Sequence, residues 1–223
     1  MEKGELLSNF NAVAHPSQPN YLALVSGSTF DVIDDASHEI DAKEQTVVDL
    51  LENNGVSWKA YYENYPSNGT CDQTEEFNNY VRKHNPFVSF GSISNSHERC
   101  SKIVNADQFE ADVNAGTVPQ FVVYTPNNLN NGHDTGLSRA SLFISGFTQK
   151  YLGSMDSTLW VVTFDENDSQ DQPNKVFTLL LGRAQGTVDN TEYNTYSILA
   201  SIENNWNLGT LNRNDVNANA FIH

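Results

Sequence analysis

Apolar residues along this chain fall into two kinds of pattern, short unbroken runs and helical spacings. Phe121, Val122, Val123 and Tyr124 follow one another and Pro126 ends the run, so residues 120–125 read as a buried strand. Residues 159–164 read as a second buried strand, apolar almost throughout, and residues 56–62 and 174–181 as two more. Between them lie helical patterns. Residues 20–25 form a short apolar stretch after Pro19, with Ser17 as its N-cap and Gly27 as its stop. Residues 46–53 place Val47, Val48, Leu50 and Leu51 on one face. Residues 75–83, 106–115, 138–152 and 195–206 read as further helices, the one over 106–115 stopped by Gly116. Residues 63–75 are rich in Asn, Ser, Gly and Pro and read as a loop. Helices alternating with nearly continuous apolar strands predict an α/β sandwich around a mostly parallel sheet. In such sheets ligands gather beyond the carboxyl ends of the strands.

Length and composition narrow the class. The chain has 223 residues, 38% hydrophobic, which suits one globular domain spanning 1–223. The net charge of −16 repels a phosphate backbone or an anionic membrane, so nucleic acid is not an expected partner. Repulsion among surface carboxylates falls as pH approaches their pKa values, about 4, which suits work in acid. No run approaches the roughly 20 apolar residues that span a bilayer, so integral membrane contact is not expected. Residues 1–5 are charged and carry no signal-peptide pattern. Asn68-Gly69-Thr70 is a glycosylation sequon beside Cys71, and it points to a surface loop outside the cell. Cys71 and Cys100 are the only cysteines; they fit one disulfide or two reduced thiols.

Four constellations carry candidate chemistry. Ser17, in His15-Pro16-Ser17-Gln18-Pro19-Asn20, stands at a helix head whose unpaired amides favour an anion, although taken alone the serine reads more readily as a plain cap. Asp165 and Glu166 follow an apolar strand, and two adjacent carboxylates are natural ligands for a divalent cation. His133 and Asp134 follow another strand after an Asn-rich loop and could hold metal or pass protons. Arg82-Lys83-His84 concentrates cations in a chain with only 12 Lys and Arg, as phosphate binding or an ordinary helix end would.

Taken in order, these segments resemble a known family. The run from His15 to Gly27 is similar to the nucleophile segment of the phosphoesterase family of fungal acid phosphatases and bacterial phospholipases C, within the alkaline-phosphatase-like superfamily. Residues 83–87, 130–134 and 163–166 resemble later blocks of the acid-phosphatase branch, and residues 206–209 its C-terminal block. The likeness runs from residue 11 to the end. It implies an alkaline-phosphatase-like α/β/α sandwich and a secreted acid phosphatase, extracellular or in the cell wall, acting on small phosphoesters through phosphoserine. Ser17 would attack; His84, His133 and Asp134 would assist; Asn20, Lys83 and Asn85 would bind substrate; Asp165, Glu166 and Asp134 would hold a divalent metal. Cys71 and Cys100 fall where that branch pairs its cysteines. The family begins with a strand ending in Glu-Asn, expected to precede residue 1, so the sheet is expected to lack its first strand and the domain to be N-terminally incomplete. A phospholipase C-type diesterase, or an inactive relative that binds phosphate or a partner, are the alternatives.

Overall fold

The computed structural model describes residues 4–66, 70–155, 157–169, 172–182 and 186–222. In chain order the strands are β1 (Gly4–Asn11), β2 (Trp58–Tyr62), β3 (Glu76–Phe77), β4 (Tyr80–Val81), β5 (Ile103–Asn105), β6 (Phe121–Thr125), β7 (Trp160–Thr163), β8 (Thr178–Leu181) and β9 (Val188–Asn194). The helices are α1 (Ser17–Ser26), α2 (Val47–Asn53), α3 (Gly91–Ser94), α4 (His97–Cys100), α5 (Asp107–Ala115), α6 (Leu137–Tyr151) and α7 (Thr195–Trp206). The chain divides into two compact units, residues 1–35 with 151–223, and residues 36–150.

The first unit is built on a four-stranded sheet in the order β7-β8-β1-β9. β1 runs parallel to β9, while β8 is antiparallel to both β1 and β7. Leu7, Phe10, Val176, Leu180, Tyr193 and Ile198 form its core. β1 escapes a reading by alternation because its register shifts between Leu7 and Asn9, and that irregularity breaks the period of two. β9 is mostly exposed, so it carries almost no apolar signature.

α1 leaves the loop after β1. Ser17 is its first residue rather than its cap; Pro16 occupies the cap position without a side-chain hydrogen bond. Gly27 ends the helix at φ 74°, where a side chain is disfavoured. A Cβ there would also lie 2.7 Å from Asp215 Oδ1. The tail carbonyls are tied down from far along the chain. Arg213 Nη1 donates to the Ser26 carbonyl at 2.7 Å, and Asn214 donates to the Gly27 carbonyl through its backbone N (3.1 Å) and Nδ2 (2.9 Å).

The second unit holds a wholly parallel sheet, β5-β2-β6. Thr46 and Asp49 form a capping box at the head of α2. Tyr61 meets Phe109 of α5 edge-on, ring centres 5.1 Å apart. Cys71 and Cys100 are joined in a disulfide that ties the loop after β2 to α4. The segment 75–83, read above as helical, is instead the β3–β4 hairpin leading into a 3-10 turn, Arg82–His84. Asn78 and Asn79 both take positive φ (47° and 71°), which closes a two-residue turn and forbids a helix. Asn68 lies outside the described residues.

Candidate active site

Ser17 is buried at the head of α1, with only 2% of its surface exposed. Its hydroxyl donates to Glu166 Oε1 at 2.9 Å. Glu166 stands just past the end of β7, as the apolar run before it leads one to expect. The second oxygen, Oε2, is hydrogen-bonded to His15 Nδ1. One carboxylate therefore joins the serine to the histidine two positions before it. His15 was quoted in the motif without a role; the signal for one was that two-residue spacing.

The loop before α1 is held rigidly. Asn20 Oδ1 accepts from the backbone N of Val13 and of Ala14, both at 3.0 Å, and Nδ2 donates to the carbonyls of Ala14 (2.8 Å) and Pro16 (3.3 Å). Asn20, expected at the substrate, thus spends its side chain on this loop. Asn174 adds a further bond to the Ala14 carbonyl at 2.7 Å. The free helix-head amides inferred from the sequence are also partly engaged, since Gln18 N donates to Asp35 Oδ1 at 3.0 Å.

Asp165 has one oxygen, Oδ2, buried without a hydrogen-bond partner. Burial pushes its carboxyl up, with the Glu166 charge adding to the effect and the Ser17 hydroxyl and backbone amides opposing it.

The remaining expected residues lie in the second unit. His84 is buried in the 3-10 turn, and its ring centre is 6.3 Å from that of His133. His133 Nδ1 bonds Asp134 Oδ1 at 2.7 Å, with both side chains about half exposed. Asn85 is fully buried; its Nδ2 donates to Tyr80 Oη at 3.3 Å. Lys83 is half-buried beside them. The loop bearing His133 is anchored by Glu63, whose Oε2 accepts from Asn127 N (3.0 Å) and Asn130 Nδ2 (2.9 Å).

Zinc sites use at least three protein donors, and calcium takes six to eight oxygens. Among the described residues no three His, Cys, Asp or Glu side chains gather where they could hold a metal ion. Of the expected set, Asp165 and Glu166 lie in the first unit and Asp134 in the second. Glu166 has both oxygens engaged by Ser17 and His15, and Asp134 pairs with His133.

A profile of the phosphoesterase family matches residues 6–209. The chain belongs to that family. This phosphoesterase is 40% identical over 233 residues to a probable acid phosphatase of Kluyveromyces lactis, covering 99% of this chain and 55% of that one. It is 39% identical to an acid phosphatase of Aspergillus fumigatus, covering 97% of this chain and 52% of that one. The phosphoesterase chain thus spans about half the length of the curated relatives it matches. Among solved structures it resembles a protein in the alkaline phosphatase superfamily from Vibrio parahaemolyticus, with TM-score 0.59, 12% identity, and coverage of 96% of this chain and 62% of that one. That likeness places the fold of this phosphoesterase in the alkaline-phosphatase-like class. Among the described residues no helix is long and apolar enough to cross a membrane.

Proposed function

We propose that this chain carries the nucleophilic centre of an acid phosphatase acting on small phosphomonoesters outside the cell. The observation that carries the reading is the hydrogen bond from Ser17 Oγ to Glu166 Oε1 at 2.9 Å. A serine is a weak nucleophile until a neighbouring base takes its proton. Ser17 Oγ forms a bond to phosphorus as its proton passes to Glu166, and the bond from phosphorus to the leaving alcohol breaks. The leaving oxygen, opposite Ser17, takes its proton from solvent. Water then attacks the phosphoserine, losing a proton to solvent as Glu166 returns its own to Ser17 Oγ, and phosphate is released.

The electrostatics favour an acidic medium. A phosphomonoester brings negative charge toward two carboxylates, and burial raises the Asp165 carboxyl above the usual carboxylate range, which lessens that repulsion. The relatives' names agree in kind, and the disulfide suits an oxidising compartment.

The test is Ser17→Ala with an aryl phosphate across pH, alongside mass analysis of acid-quenched enzyme for a phosphorylated peptide containing residue 17. The variant is expected to lose hydrolysis, and the wild-type peptide to carry one phosphoryl group. Wild-type turnover in the variant would remove Ser17 from the mechanism.

A further inference from the structure

We infer that His15 is a positioning residue, holding the Glu166 carboxylate in the one orientation that accepts from Ser17. The inference rests on Ser17 being the nucleophile. A glutamate side chain has three rotatable bonds, and one hydrogen bond to a serine hydroxyl does little to restrain them. In this structure the carboxylate is gripped at both oxygens, Oε1 by Ser17 and Oε2 by His15. The side chains of His15 and Glu166 are only 10% and 19% exposed, so water is poorly placed to substitute for either grip.

The ring of His15 is itself supported through the backbone. The two residues before it and Pro16 after it are bonded by Asn20, and Ala14 is bonded again by Asn174. Its other nitrogen, Nε2, is buried with no hydrogen-bond partner. Nδ1 is the ring nitrogen that meets Glu166, and an ionised carboxylate there can only accept. Two residues of one short loop therefore meet one carboxylate from the far end of the chain: Ser17 as the reacting group and His15 as the group that orients its acceptor.

The experiment compares His15→Ala, His15→Asn and His15→Gln on an aryl phosphate, measuring kcat and KM, with a thermal melt of each. An asparagine amide nitrogen occupies the place of Nδ1, whereas a glutamine nitrogen occupies that of Nε2. The Ala and Gln variants are expected to lose about a hundredfold in kcat with KM little changed, as for a misplaced catalytic group. The Asn variant is expected to recover most of that loss. Equal kcat in the Asn and Gln variants overturns the inference, as does wild-type kcat in the Ala variant; if the Ala protein fails to fold, the Asn–Gln pair decides alone. Should Ser17→Ala be inactive while all three His15 variants match wild type, the nucleophile stands and only the role of His15 falls. Activity in Ser17→Ala removes both.

Discussion

Asp112 of α5 takes hydrogen bonds from Lys59 Nζ at 2.7 Å, Tyr61 Oη at 2.6 Å and Gln108 Nε2 at 2.9 Å. Burial pushes its carboxyl up, and those three donors outweigh burial, so it stays below the usual carboxylate range. Removing it strands the buried Tyr61 hydroxyl and a mostly covered ammonium. Asp112→Ala is therefore expected to cost about 3 kcal/mol, read as a lower urea midpoint. A midpoint within error of wild type would show that water replaces the carboxylate. At this scale the sequence was a partial guide to the candidate site. Ser17, Asp165 and Glu166 stood out because a serine at a helix head and carboxylates after an apolar run are legible locally. The engagement of Gln18 N by Asp35 was not, because the spacing of those residues says nothing about which way the intervening loop turns. Nor was the fate of Asn20, whose partners are backbone atoms and leave no mark in any pattern of side chains.

Helices and strands were legible where packing imposes a period. α2, α5 and α7 lie within a residue or so of their expected bounds, since capping residues or a following glycine mark their ends. β1, β5 and β9 were missed: one is irregular in register, one has three residues, and one is a mostly exposed edge. The β3–β4 hairpin was mistaken for a helix because four residues of strand carry too little periodicity to outweigh a run of polar helix formers. The disulfide acts at this scale as well, linking cysteines 29 positions apart. Its removal frees the unfolded chain, and a Cys71→Ser, Cys100→Ser protein is expected to be less stable by about 3 to 4 kcal/mol. Matching denaturation curves with and without reductant in the wild type would contradict this.

At the scale of the whole molecule, one buried pair makes stability depend on pH. Glu203 of α7 is pushed up to about 8 by burial and by the neighbouring Asp215 charge, against the pull of the Leu211 amide. In the unfolded chain the same carboxyl ionises near 4.5. The folded state thus holds a proton that the unfolded state has released, and the stabilisation is complete below about 4.5 and lost as pH rises to about 8. The slope from this one group is at most about 1.4 kcal/mol per pH unit. Urea unfolding measured from pH 4.5 to pH 8 is expected to show a steeper decline for wild type than for Glu203→Gln, and parallel lines would refute the assignment. The net charge of −16 at neutral pH works in the same direction, since self-repulsion eases as carboxylates are neutralised.

The ties at the tail of α1 bear on how such a chain is made. Ser17 finds its acceptor 149 positions later, and the helix it heads is fastened at the other end by residues 187 positions later. During synthesis the Ser17 hydroxyl therefore emerges from the ribosome long before its hydrogen-bond acceptor. A nascent or prematurely released polypeptide lacking residues 166 and 213 has the serine hydroxyl but neither the carboxylate that accepts from it nor the side chain that ties down the tail of its helix.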